Sequence, residues 1–357
     1  MISKLDLLKW RKRLFGHKAT SGIIGKTVVY ALLIGVSYIF LYPLLKMISM
    51  SFLTQIDLVN PEVDWIPTQL SFANYVVANR VLGLLPPSLA NFAEAPLQAI
   101  LGIFSDTGNL FQSLRNIAVV AFIQTVIASL TGFAFARYEF KFKKFWFAMV
   151  LLSFVIPLPM VTIPRVMTIF GLQDTIWTPF FNSVLRGTFL DGILKPTLFQ
   201  TMFPQFLLTL FGQGVNSAIL ILIFYNFFKM IPISLDEAAR IDGATSTQVF
   251  WHIYVKLVTP IIITVFLFSF VWNWNDIYSA TIYYNAGNPL IVLRLSLFAS
   301  QFEDLAGSIP GQGGQVRINE AYRMAATFLS MLPLFIMYLA AQRKFIEGIE
   351  RTGMTGE

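Results

Sequence analysis

Long apolar runs alternate with short polar stretches along this chain, and the runs have the length of membrane-crossing helices. A spanning helix needs about 20 mostly apolar residues. Six segments reach that length: Thr27–Ser49, Ile117–Ala136, Lys144–Ile163, Leu207–Phe228, Leu257–Trp274 and Met324–Ala341. The fourth opens on the polar FGQGVNS. The first is too long for the apolar core of a secretory signal, and no small-residue cleavage site follows it. The pattern breaks most sharply at SLDEAARIDGATSTQVFWHIYVKLVTP, Ser234 to Pro260, with four charges between Ser234 and Asp242.

Local rules make that stretch two short helices. Ser234 and Glu237 have capping-box spacing, as do Thr245 and Gln248. Pro232 ends the preceding span, Gly243 permits the left-handed turn between the helices, and Pro260 lies just inside the fifth span. Ala238 and Ala239 are small enough for close approach to another surface. Leu235 and Ile241 offer apolar contact, while Glu237, Arg240 and Asp242 offer a charged rim. Two readings stay open on residue chemistry alone: a docked helix, or a solvated amphipathic loop in which Glu237 is only a cap. A helix this short is marginal in water by itself.

Composition agrees with the membrane reading. The 357 residues are 56% hydrophobic and 13% charged, with mean hydropathy +0.66, whereas soluble domains carry about 25% charged residues. Charge placement gives the orientation. With the N-terminus in the cytoplasm, the inner segments hold 17 of the 26 Lys and Arg, for net charges of +9 inside and −2 outside. Both termini are then cytoplasmic. The outer loops are bulky. The stretch LLPPSLANFAEAPLQAILGIF is apolar but carries three prolines and a Glu, so it reads as a folded or interface-lying excursion rather than a seventh span. Arg186, Asp191 and the prolines of TIWTPFFNSVLRGTFLDGILKPTLFQ argue against burial in lipid. The last outer loop, Asp276–Arg323, contains GSIPGQGGQ.

Several chemistries are set aside. TSGIIGKT resembles a phosphate-binding loop, but Thr20 stands where the first Gly belongs and a membrane span follows. With no Cys, disulfide and thiolate chemistry are excluded, and His17 and His252 suggest no metal cluster. No carboxylate lies mid-span, which disfavours a proton-coupled carrier. No nucleophile elbow or paired-carboxylate motif is present, and no nucleic-acid partner is expected.

The stretch EAARIDGATSTQVFWHIYVKLVTP resembles the EAA loop of permease subunits in bacterial ABC importers, with Glu237, Ala238, Ala239 and Gly243 matching position for position. YNFFKMIPISLDEAARIDGA, FSFVWNWND, DWIPTQLSFANY, RNIAVVAFIQTVIASLTGFAFARYEFKFKK and LPLFIMYLAAQRKFIEGI resemble the carbohydrate-uptake branch, the maltose-transporter-type second permease. The resemblance covers most of residues 111–348 and the first span. Lys256 stands where the family usually has Pro, and the insertions near 76–110 and 177–203 exceed the family's loops.

The resemblance implies an all-α membrane protein with six transmembrane helices, the type I ABC importer permease fold, and enlarged extracytoplasmic loops. It divides the chain into a cytoplasmic tail (1–26), a first transmembrane helix (27–49), an extracytoplasmic insertion (50–110), a permease domain (111–345) with a coupling loop at 232–256, and a tail (346–357). It implies a multi-pass protein of the bacterial cytoplasmic membrane that takes up a carbohydrate delivered by a solute-binding protein. The implied partners are a second homologous permease and two ATPase subunits, which bind ATP and Mg; this chain itself holds no cofactor and is not an enzyme. Glu237, Ala238, Ala239, Arg240, Asp242 and Gly243 would couple to the ATPase. Trp272, Asn273, Trp274, Asn275 and Asp276 have the residue types that stack on sugars and bond their hydroxyls, and equally those of an aromatic interfacial belt. The competing expectation is a self-sufficient secondary sugar carrier.

Overall fold

The structure is a computed structural model and describes residues 22–84, 109–187, 198, 201–284, 290–305 and 318–353. Among these residues the secondary structure is helical throughout. They fall into two compact units, Met1–Ala78 with Val316–Leu329, and Asn79–Gln315 with Ser330–Glu357.

The first unit begins with α1 (Ile23–Met50). Nothing of its apolar window is buried inside the chain. A helix that is hydrophobic on every side belongs in lipid or in a large core, so the uncovered surface suits a bilayer. The chain then turns into α2 (Gln55–Val59), whose first turn carries a reciprocal Thr54–Asp57 capping box. The buried Asp57 carboxylate also accepts from the Thr68 hydroxyl. Asn74, on α3 (Ala73–Leu82), donates to the carbonyls of Ser51 and Leu53 at 2.9 Å each. These bonds fold the segment after α1, beside ring contacts among Phe52, Phe72 and Tyr75. The apolar excursion predicted after it falls outside the described residues.

The second unit is organised on α4 (Asn109–Arg137), half of whose apolar window is buried. Beside it lie α5 (Lys143–Val155) and α6 (Leu158–Leu172), then α7 (Phe203–Leu210) and α8 (Ser217–Met230). The predicted polar loop becomes α9 (Ile233–Ile241) and α10 (Ser246–Leu257). It leads into α11 (Thr259–Trp274), followed by α12 (Ile277–Tyr283), α13 (Ile291–Ser296) and α14 (Phe298–Leu305). The final helix, α15 (Glu320–Gly353), contains Pro333.

Three of the expected spans, α1, α4 and α15, are long, apolar and continuous; the other three are bent, giving up to six crossings. The third does not run straight from Lys144 to Ile163. It turns by 109° between α5 and Leu158–Val184, because Pro157 fixes φ at −59° and forces Ile156 into extended backbone. Its helix reaches Leu185 through two π-helical turns, so the start of the predicted outer loop is helical. The fourth does not run unbroken from Leu207. Gly212 (φ +71°) and Asn216 (φ +53°) interrupt it between α7 and α8. The fifth begins at Thr259 rather than Leu257, with Pro260 in its first turn.

The α4–α8 contact is unusually close at Gly132. A Cβ there would lie 2.7 Å from the Phe224 Cβ and 2.9 Å from the Tyr225 backbone nitrogen. Gly132→Ala is expected to cost about 1–3 kcal/mol through forced separation of the helices, read as a lowered thermal midpoint in detergent. In the first unit, the Thr68 hydroxyl and the Thr54 amide hold the Asp57 carboxyl below its usual range. Its ionised form is favoured by folding, so that stability is present above the unfolded pKa of about 4 and is lost as pH falls through the lower folded value. Asp57→Asn should open residues 50–75 to proteolysis at neutral pH, and the difference from wild type should shrink on acidification.

Candidate functional site

The polar loop leaves α8 through a 69° bend. Pro232, at φ −58° and without an N–H, is the N-cap of α9, so the helix starts at Ile233. Ser234 therefore sits inside the first turn, and the expected Ser234–Glu237 capping box does not form. Glu237 and Ala238 are exposed, whereas Ala239 packs onto the core. Arg240 pairs with Asp236 one turn back, at 3.4 Å. The end of α9 is fastened in two ways. Ala244 N–H donates to the Ala239 carbonyl (2.9 Å) and Gly243 N–H to that of Arg240 (3.0 Å). This is the Schellman arrangement, and it needs left-handed backbone, met here by Gly243 at φ +81°. Asp242 is the C-cap.

The second predicted cap is present. Thr245 and Gln248 bond each other's backbone amides, starting α10. Residues Phe250–Tyr254 form a π-helical turn, which aims Phe250 and the wholly buried Tyr254 into a core shared with Phe133, Phe224 and Phe228. A 78° bend then separates α10 from α11. Lys256 is exposed in the last turn of α10. The bend forms two residues later, at Val258–Pro260, so the missing proline at 256 does not abolish it. The loop is thus a stiff bracket between two bends. Its outer face, with Leu235, Glu237, Ala238 and Ile241, is uncovered in this chain.

A second polar cluster lies in the bundle, outside the residues that the sequence pattern singles out except Asn273. Gln124 of α4 is 1% exposed. Its Nε2 donates to the Val215 carbonyl (2.6 Å) and to Ser217 Oγ (2.8 Å). Its Oε1 accepts from the Ser269 hydroxyl (2.5 Å) and from Asn273 Nδ2 (2.9 Å). Gln205 Nε2 donates to Asn273 Oδ1 (3.0 Å), and the Tyr284 hydroxyl donates to Gln205 Oε1 (3.1 Å). Burial pushes the Tyr284 hydroxyl above the ordinary tyrosine range, so it stays a donor. One chain of bonds therefore ties α4, α7, α8 and α11 together. The available signal was a lone amide in an apolar run, AFIQTVIA, which lipid would leave unpaired at a cost.

The Trp272–Asp276 segment divides among several roles. Asn273 belongs to the amide chain. Trp274 is 4% exposed and stacks on Phe270, so it faces protein rather than an interfacial belt. Trp272 stacks on Phe268 at 5.5 Å. Asn275 donates back to the Val271 carbonyl, and Asp276 caps α12 through Ser279 N–H. A small cavity of about 20 Å³, room for about one water, lies nearby, with both apolar walls (Leu158, Leu208) and polar ones (Thr162, Arg165, Gln205, Gln213). None of Trp272–Asp276 lines it. Among the described residues no cluster suited to a metal ion occurs.

Removing the Gln124 amide strands several buried partners, at about 1–3 kcal/mol in total. Gln124→Leu should lower the thermal midpoint. The Gln124→Leu/Asn273→Leu double variant should lose less than the two single losses added, as read in a double-mutant cycle.

Comparison with known proteins gives a consistent picture. Residues 124–350 match the family described as "Binding-protein-dependent transport system inner membrane component". The chain is 26% identical over 314 residues to the probable starch degradation products transport system permease protein AmyC of Thermoanaerobacterium thermosulfurigenes, covering 88% of this chain and 91% of that protein. It is 24% identical over 323 residues to the arabinooligosaccharides transport system permease protein AraQ of Halalkalibacterium halodurans, covering 90% and 93%. Among solved structures, a chain of a bacterial ABC transporter involved in the import of the acidic polysaccharide alginate matches with TM-score 0.61 and 22% identity, over 89% of this chain and 96% of that one. That likeness identifies the fold.

Proposed function

This chain belongs to the family of binding-protein-dependent transport system inner membrane components, and from that membership we propose that it is the permease subunit of an ATP-driven carbohydrate importer. The relatives named above are permeases of starch-product and arabinooligosaccharide systems, which supports an oligosaccharide as cargo. The chain pairs with a second, homologous permease in the bacterial cytoplasmic membrane, with both termini in the cytoplasm. It receives its substrate from an extracytoplasmic binding protein, and ATP and Mg are bound by a separate ATPase dimer. The expectation of a self-sufficient secondary carrier finds no support among these relatives.

The observation that carries the coupling role is the bracket at 232–256. A helix end fixed by a Schellman motif and a capping box resists bending, yet the face of α9 bearing Leu235, Glu237, Ala238 and Ile241 has no cover in this chain. Such a part transmits a push if its free face is seated in a groove of the ATPase. Ala238 permits close approach and Glu237 supplies a charge for a basic group in that groove. Arg240 and Asp242 form the rim, and Ala239 and Gly243 hold the helix to the permease. Within Trp272–Asp276, Asn273 and Trp274 serve the packed interior, and Asn275 and Asp276 bond local backbone, so substrate contact is not assigned to this segment.

Glu237→Lys and Gly243→Pro test the reading. The first reverses the docking charge. The second cannot adopt φ +81°. Each should reduce ATP-dependent uptake and recovery of the ATPase with the permease by about tenfold, with membrane insertion intact. Unchanged uptake and co-purification in both would overturn the coupling assignment.

A further inference from the structure

We infer that Arg137 is a positioning residue that locks the loop bracket to α4, so that ATP-driven movement of α9 reaches the amide chain through α4 as one rigid body. The inference rests on the coupling role proposed above for residues 232–256.

Arg137 is the last residue of α4. Its Nη2 donates to the carbonyls of Phe228 and Ile231. Those carbonyls lie at the end of α8 and immediately before Pro232, where the chain turns into α9, and a helix C-terminus leaves such groups without intrahelical partners. The guanidinium also lies 5.0 Å from the ring centroid of Tyr254 in the last part of α10. A planar cation answers both demands at once: its edge donates to the carbonyls while its face stacks on the ring. One side chain therefore holds the entrance of the bracket and its exit. Phe133, one turn earlier on α4, meets Phe250 at 4.8 Å, Tyr254 at 4.9 Å and Phe228 at 5.3 Å, so the same face of α4 contacts both arms.

The need for such a lock follows from α9. None of its residues is fully buried, Ala239 being the half-buried one that packs on the core, and a 69° bend separates it from α8. A push on α9 alone would be absorbed at that bend. With Arg137 in place, the carbonyls at the bend are tied to α4. From Arg137 to Gln124 is thirteen residues of continuous helix, about 20 Å, and Gln124 anchors the amide chain that joins α7, α8 and α11. Tyr254 contributes its ring alone, since its buried hydroxyl has no hydrogen-bond partner among the described residues.

The chain contains no cysteine, so spin labels are placed cleanly at Ser234→Cys on α9 and Arg115→Cys on α4, both exposed. Distances are measured in the full complex with its ATPase subunits, with and without magnesium-ATP as the probe. In the wild-type background the α9–α4 distance should be narrow and identical in both states. Arg137→Gln and Tyr254→Leu should leave it narrow without nucleotide and broaden or shift it on adding magnesium-ATP, with ATP hydrolysed per sugar moved rising about tenfold. Tyr254→Phe should behave as wild type. The inference is overturned if the wild-type distance changes with nucleotide. It is equally overturned if both lock variants stay as narrow as wild type. Broadening already present without nucleotide, or loss of assembly, would mark Arg137 as a static support and also overturn it. Failure of the wild-type chain to bind any ATPase would sink the coupling role itself, a separate result.

Discussion

A buried amide in a membrane-spanning helix has to be answered by other polar groups, and in this protein much of the bundle is arranged around that demand. Lipid tails are as apolar as leucine, so burial of apolar surface does little to hold spanning helices together. Close backbone approach and hydrogen bonds between helices take over. Both are found on α4. Gly132 lets α8 come within contact of the backbone. Gln124, two turns earlier, spends all its hydrogen-bonding capacity on the start of α8 and on α11. Gln205 and Tyr284 extend the chain to α7 and past α12.

The end of the bundle at the loop bracket obeys a different rule. There aromatic rings replace amides, with Phe133, Phe228 and Tyr254 packed edge to face and Phe250 tilted against Phe133 and Phe228. The polar bonds are capping bonds at Gly243 and Thr245 and the Arg137 donations. Rings make large, rigid contacts with few rotatable bonds, while caps stiffen short helices that would fray alone. Together they make α9 and α10 a stiff part.

Much of this was legible in the sequence. The apolar runs overlap the candidate crossing regions, three of them continuous helices and up to six if each bent pair is one span, because hydropathy over about 20 residues depends little on tertiary detail. Gly243 and the Thr245–Gln248 box were readable because their conformations are set locally. The remaining features are set by contacts that hydropathy and local spacing do not register. Pro157 sits within an unbroken apolar run, and hydropathy does not register the 109° turn it imposes. Ser234 has correct cap spacing, but Pro232 starts the helix earlier. Charge counting treats Arg137 as one more cytoplasmic anchor; only the folded arrangement brings it to Phe228, Ile231 and Tyr254, about ninety to a hundred and twenty residues away in sequence. Trp274 has the composition of an interfacial aromatic, and its burial depends on the face of α11 that carries it.

The π-helical turn at Phe250–Tyr254 carries a consequence of its own. Such a turn is an α-helix widened by one residue, so it works as a phase adjuster. Each residue of an α-helix advances the side-chain direction by about 100°. The widened turn lets the start of α10 be set by the Thr245 cap while its end is set independently by the burial of Tyr254. The facing of the outer bracket and the facing of the inner core can therefore drift apart or be re-tuned over evolutionary time by gain or loss of one residue in that turn, with neither end having to be rebuilt.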